Sequence, residues 1–217
     1  MSAVETEKIK AALKEARERS KKRNFKQSVE LIINLRDVDV KKPENRIQES
    51  IELPFAIDKK VGVCVFADGD LALRARRAGA DLVLGSAEIE ALANDRKRQR
   101  EIAKSMDSFI AAAPLMPLIG RVFGPILGPR GKMPTPVPPT ANIEEIIERQ
   151  RRTIRVRARD QPVLHCRVGS EGMSDDEIAE NIQTVIGRIA RRLKRGIKNI
   201  DSIYVKLTMG PAVKVEI

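Results

Sequence analysis

The chain has 217 residues, with 41 Lys and Arg against 30 Asp and Glu, and 42% of it is hydrophobic. That length suits one large domain or two small ones, and the apolar content excludes wholesale disorder. The formal charge of +11 favours a polyanion (RNA, DNA or anionic lipid) over a merely soluble basic surface, while five Phe, one Tyr and no Trp exclude a recognition surface built from many stacked rings.

Residues 5–19 have helical period, with Ile9, Leu13 and Ala16 on one face. Residues 25–35 alternate, and this predicts a strand with Phe25, Val29, Leu31, Ile33 and Leu35 on one side. Residues 37–49 are polar and contain Lys41-Lys42-Pro43, a loop signal, before extended structure resumes at 48–53; a crossing point is expected at 56–60. The character then changes. Val61-Gly62-Val63-Cys64-Val65-Phe66 is a continuous apolar run, as in a strand covered on both faces. A helix over 71–77, ended by Gly79, leads to a second buried strand at 82–84; a helix over 89–94 precedes a third strand at 109–112. This βαβαβ rhythm implies parallel strands flanked by helices.

Residues 114–139 are rich in Gly and Pro, and residues 142–151 read as a helix. Ile154, Val156 and Ala158 then alternate with Arg155, Arg157 and Arg159, and Asp160-Gln161 is expected to turn this strand into a partner at 163–168. Ser174-Asp175-Asp176-Glu177 is a capping box. It opens a helix with Ile178, Ile182, Val185, Ile186, Ile189 and Leu193 on one face and with Arg191, Arg192, Lys194 and Arg195 at its C-terminal end, where the macrodipole favours cations. A last strand, 202–207, runs into Thr208-Met209-Gly210.

The simplest organisation is an insertion. Residues 1–58 and 154–217 form a split α+β domain, and 59–153 form a three-layer Rossmann-like α/β domain. Cys64 and Cys166 lack metal-ligand spacing and read as reduced core residues of a cytoplasmic protein; no signal peptide is expected, and no apolar run reaches membrane length. His165 is the only histidine, so a His-based metal cluster is excluded, and Cys166 beside it points to the opposite face of a strand. No catalytic residue, metal or cofactor is expected. The segment Gly128-Pro129-Arg130-Gly131-Lys132 fails as a phosphate loop, because Ile126 stands where the first Gly belongs and Met133 where Ser or Thr belongs. Two readings remain for it: an irregular turn fixed by Gly and Pro, or a phosphate contact through Arg130 and Lys132. Arg155, Arg157 and Arg159, and likewise residues 96–100, read either as solvated faces or as RNA contacts.

Residues 120–134, Gly120-Arg121-Val122-Phe123-Gly124-Pro125-Ile126-Leu127-Gly128-Pro129-Arg130-Gly131-Lys132-Met133-Pro134, resemble the signature segment of the large-subunit ribosomal protein L-one family, the mobile-stalk protein beside the ribosomal exit site. Leu53-Pro54, residues 24–30, residues 165–169 and residues 202–211 match in the same order, and the short N-terminus looks archaeal in type.

The resemblance implies a split RNA-binding domain, an inserted Rossmann-like domain and a hinge between them. It implies an rRNA-binding structural protein, not an enzyme, that assists release of deacylated tRNA, represses translation by binding its own mRNA, and is a monomer off the ribosome. By position, the RNA site it implies comprises Phe25, Lys26, Ser28 and Glu30, with Ser202, Thr208, Met209 and Gly210; Lys42, His165 and Gly169 match peripheral contacts. Asn24 stands where the family often has lysine. The chemistry fits RNA: Thr208 and Ser28 suit ribose 2′-hydroxyls, Gly210 permits close approach, and Met209 and Phe25 suit packing on ribose or an unstacked base. Two rivals are a nucleotide-dependent enzyme built on the inserted domain and a duplex-DNA regulator; neither a phosphate loop nor a helix-turn-helix pattern supports them.

Overall fold

The computed structural model describes residues 5–39, 47–57, 61–158 and 161–216. It divides into two compact units, Met1–Lys59 with Arg152–Ile217, and Lys60–Arg151.

In the first unit, alternation builds the sheet. Strand β1 (Ser28–Leu35) buries Val29, Leu31, Ile33 and Leu35 and leaves Ser28, Glu30, Ile32 and Asn34 half-buried on the other side. It is central in an antiparallel sheet of order β10-β9-β1-β8, with β8 at Val163–Ser170, β9 at Ile200–Leu207 and β10 at Val213–Val215. The apolar face is covered by α1 (Thr6–Arg19), through Ile9, Ala12, Leu13 and Ala16, and by α8 (Asp175–Arg192), through Ile178, Ile182, Val185, Ile186 and Ile189. The Ser174 hydroxyl accepts from the Glu177 amide while the Glu177 carboxylate accepts from the Ser174 amide, so the capping box forms as the sequence predicts.

Two expectations change here. Phe25 precedes β1 and is exposed, because the chain between Ser20 and Gln27 is irregular and the alternation starts only at Ser28. Strand β7 (Thr153–Arg157) does not form a hairpin with β8; it pairs antiparallel with β2 (Gln48–Glu52) in a separate two-stranded ribbon. Ile51 and Val156 both enter the main core, and the ribbon lets both strands bury those side chains together. Asp160, expected to turn the chain there, lies outside the described residues, as do residues 58–60 of the expected crossing point.

In the second unit every strand is parallel, in the order β4-β3-β5-β6. Strands β3 (Val63–Phe66) and β5 (Ser108–Ala112) are buried at every position, β4 is Leu82–Leu84 and β6 is Thr135–Val137. One face of this sheet, with Cys64, Phe66 and Phe109, packs on Ile89, Ile102, Ile119, Phe123 and Leu127. These come from α3 (Ser86–Ala91), α4 (Arg96–Ser105), α5 (Met116–Val122), α6 (Gly124–Arg130) and the residue between the last two. The other face, with Val63, Val65 and Ile110, packs on Leu71 and Ala75 of α2 (Gly69–Arg77) and Ile143 and Ile147 of α7 (Ile143–Arg152). The result is the three-layer α/β arrangement expected from continuous apolar runs. Phe66 stacks on Phe109 at 5.9 Å and tilts against Phe123 at 5.3 Å.

The Gly/Pro-rich stretch is helical as far as Arg130, and β6 follows it. Pro117 and Pro125 occupy the first turns of α5 and α6, where a missing amide costs nothing, and Gly131 takes a left-handed conformation (φ 66°) to end α6. Both cysteines are buried, and burial pushes the Cys166 thiol up to about 12 and raises that of Cys64 as well. Among the described residues no helix is long and apolar enough to cross a membrane.

Candidate nucleic-acid interface

The half-buried face of the first unit's sheet gathers polar side chains by register. Glu30 stands opposite Lys206 on β9 and Arg167 on β8, and Ile32 opposite Tyr204 and His165. Directly opposed residues of an antiparallel pair share a face, so these side chains form one surface.

The N-terminal end of β1 is closed by Thr208. Its amide donates to the Ser28 carbonyl at 3.1 Å, and its hydroxyl donates to the same oxygen at 3.2 Å and accepts from the Ser28 amide at 3.1 Å. Thr208 therefore extends the β1–β9 ladder by one rung with its side chain. The hydroxyl is not idle, but it keeps one acceptor position for a further donor. The Lys206 ammonium donates to the Thr208 carbonyl at 2.9 Å and lies 3.7 Å from the Glu30 carboxylate.

Beside this rung, Gln27 ties three distant segments together. Its side chain is fully buried. Its amide oxygen accepts from the Met209 N–H at 3.0 Å, and its amide nitrogen donates to the Ser20 hydroxyl at 3.2 Å. Its backbone exchanges bonds with Glu171: the Gln27 N–H donates to the carboxylate at 3.2 Å, and the Gln27 carbonyl accepts from the Glu171 N–H at 2.8 Å. Arg17 reinforces the same junction by donating to the carbonyls of Glu171 and Met173 and to the Asp175 carboxylate. Sequence reasoning missed Gln27. A single glutamine in a run of polar and basic residues carries no periodic signal of burial.

Phe25 and Met209 stand out at this end of the sheet. They are 52% and 57% exposed, and only Leu73 joins them as an exposed large apolar side chain among the described residues. Phe25 lines an open concavity of about 450 Å³ together with Lys22, Arg23, Lys26 and Glu171. Lys26 is exposed.

The remaining site residues of the sequence reading fall differently. Ser202 is buried, and its hydroxyl accepts from Asn34 at 2.9 Å and donates to Asp201 at 3.3 Å, so it serves the sheet rather than the surface. Gly169 pairs with Val29 on the inner side, where a Cβ would lie 2.8 Å from Ile178 Cγ1; close packing of α8 on β8 requires the glycine. At Gly210 a Cβ would meet the Ser20 side chain at 3.1 Å, so the close approach is to the end of α1. His165 is exposed in mid-strand opposite Ile32, four residues along β1 from Ser28, roughly 13 Å away. Lys42 lies outside the described residues.

Neither of the two readings of the Gly/Pro segment holds as stated: Gly128-Pro129-Arg130 form the end of α6 instead of an irregular turn, and the lysine turns inward. Lys132 Nζ donates to the carbonyls of Ala103 and Met106 at 3.0 and 2.6 Å, so it caps the C-terminal end of α4 instead of reaching out for phosphate. On the ribbon, burial first and the Arg157 charge second lower the Arg155 guanidinium from its ordinary value. Arg159 lies outside the described residues.

A family model described as ribosomal protein L1p/L10e matches residues 13–211. The large ribosomal subunit protein uL1 of Pyrococcus abyssi is 53% identical over 211 residues, covering 97% of this chain and 96% of that one. The proteins of the same name from Methanothermobacter thermautotrophicus and Archaeoglobus fulgidus are 50% and 46% identical, covering 95% and 98% of this chain and 98% and 99% of theirs.

Proposed function

The chain belongs to the ribosomal protein L1p/L10e family, and from that premise we propose that it is a structural constituent of the large ribosomal subunit that binds an rRNA stalk element near the exit site. This is a family of ribosomal structural proteins, and the chain is not an enzyme. On this reading it acts in the cytoplasm as part of the ribosome, its stalk assists release of deacylated tRNA, and off the ribosome it is a monomer that binds its own mRNA and represses translation. Residues 1–58 with 154–217 are the RNA-binding domain, and 59–153 the inserted one.

The observation that carries the proposal is the paired exposure of Phe25 and Met209 beside the Ser28–Thr208 rung. Two large apolar side chains left in water at one sheet end suit a flat apolar surface such as ribose or an unstacked base. The rung supplies a spare acceptor for a 2′-hydroxyl, Glu30 a second, and Lys26 and Lys206 the charge that draws phosphate in. Phosphate contacts give affinity; the ribose-directed groups give preference for RNA over DNA.

The test is a titration of the protein with an rRNA stalk fragment and with duplex DNA of equal length across a salt series. RNA preference that persists at high salt is expected. Equal binding with equal, steep salt dependence would mean phosphate attraction alone and would sink the proposal. In the same assay Met209→Ala should weaken stalk binding by about tenfold, or 1.4 kcal/mol, with thermal stability unchanged because the side chain faces water. Repression requires the mRNA mimic to bind more weakly than the rRNA fragment, and a competition titration measures that order directly.

A further inference from the structure

The C-terminal end of α8 and the turn after it carry Arg188, Arg191, Arg192, Lys194, Arg195 and Lys198 within eleven residues, and Arg36 joins them from the end of β1. Internal duties account for some of this charge. Arg188 and Arg192 both approach the Glu49 carboxylate, at 3.6 and 3.4 Å, and fasten β2 to the helix. Arg195 lies 3.0 Å from Asp37, and the helix macrodipole favours a cation or two at its C-terminus. Arg36, Arg191 and Lys198 have no carboxylate partner among the described residues. The charge of these three is therefore uncompensated, and the guanidinium side chains of Arg188, Arg192 and Arg195 are each more than half exposed.

The cluster is also fixed in place. Asn199 is buried; its side-chain amide donates to the Arg36 carbonyl at 3.0 Å and accepts from the Arg195 N–H at 2.9 Å. The Arg36 N–H donates to the Asn199 carbonyl, and its guanidinium to the Lys198 carbonyl, both at 2.8 Å. The short 3₁₀ turn Gly196–Asn199 is thereby clamped to the end of β1. Like charges held together on a rigid frame repel one another unless an anion lies across them.

This platform lies at the opposite end of the first unit from Phe25 and Met209. Strand β1 runs from Ser28 to Leu35 between the two, and α8 runs alongside it from the Arg17–Asp175 junction to the cluster, so the separation is roughly 25 Å. A single ribose or base seated at the first end does not reach it.

We propose that this platform is a second RNA-binding surface, which takes the phosphate backbone of a duplex segment distinct from the RNA met by Phe25 and Met209. The proposal rests on the RNA-binding reading above and adds a second, sequence-independent contact to it. It fits duplex RNA because the surface offers charge without exposed aromatic or large apolar side chains, the pattern of backbone recognition rather than base recognition.

The test compares three proteins on a duplex RNA that lacks the stalk sequence, and on the stalk fragment, across a salt series. The first is the unaltered protein. The second carries Arg191→Gln, Arg195→Gln and Lys198→Gln. The third carries Arg76→Gln, Arg77→Gln and Lys97→Gln, which remove the same charge from exposed positions of the second unit. Thermal melting first verifies that both variants are folded. With duplex RNA, the platform variant should lose roughly 2 to 3 from the slope of log affinity against log salt and about tenfold or more in affinity at low salt, while the second-unit variant keeps the full slope. An unchanged slope in the platform variant would overturn the proposal. So would an equal loss in both variants, which would mean that only net charge matters. Failure of the primary reading looks different: the unaltered protein would then show no preference for the stalk fragment, whatever the duplex slopes.

Discussion

The two units treat charged and apolar side chains in opposite ways. The first holds 27 Lys and Arg against 19 Asp and Glu, the second 14 against 11. The first leaves one sheet face half-buried and puts Phe25 and Met209 into water at its edge. The second covers its sheet on both faces and turns its best-placed lysine, Lys132, inward to cap α4. A parallel sheet must be covered on both sides to be stable, and covering it leaves no broad face for a ligand. An antiparallel sheet with one covered face keeps the other for recognition, and here the basic residues concentrate in the unit that has such a face.

The sharpest way to break that comparison is to damage the second unit's core and read RNA binding. Phe66→Ala removes a ring that contacts both Phe109 and Phe123 and should destabilise the second unit by about 3–5 kcal/mol in denaturant titration. Stalk affinity should hold at denaturant concentrations where the first unit stays folded; a parallel fall would show that the RNA site is not confined to the first unit. A smaller effect tests the rung. Thr208→Val deletes the hydroxyl that bonds both backbone groups of Ser28, so it should lower stability by about 1 kcal/mol and also weaken stalk binding, whereas Thr208→Ser should keep both. A valine variant with full stability would mean that the amide bond alone closes the ladder. Smallest is Lys132→Gln, which removes the α4 cap and should cost about 0.3–1 kcal/mol with no change in stalk affinity. A drop in affinity there would return the Gly/Pro segment to the RNA-binding surface.

Periodic elements were legible from sequence because burial writes itself at a fixed spacing. The alternation from Val29 to Leu35, the unbroken apolar runs of β3 and β5, and the capping box with the apolar stripe of α8 all stand where the sequence puts them. What was not legible depended on partners far along the chain. The ribbon of β2 and β7 joins residues about a hundred positions apart, and nothing local in residues 153–157 prefers that partner to β8. The helices α5 and α6 were hidden by glycines and prolines that read as loop signals, yet Pro117 and Pro125 occupy first turns and Pro129 stands inside the last turn of α6. In the candidate site, sequence pointed to Ser28 and Thr208, which bond to each other, but also to Gly169 and Ser202, which the packing of α8 and the Asn34 side chain keep for internal use. Gln27, which holds the Met209 amide, was invisible because a buried polar side chain leaves no hydrophobic trace.

The Ser28–Thr208 rung also fixes an order in time. Its two residues are 180 positions apart in the chain, and Gln27 waits equally long for Met209. During synthesis β1 emerges early, but its edge has no closing partner until the ribosome has translated codon 208 and released that stretch from its tunnel. A nascent chain therefore carries an unfinished recognition surface until residues 208–210 have emerged, and a product stopped at residue 207 would hold most of the core while lacking the threonine, the methionine and the turn that complete the surface.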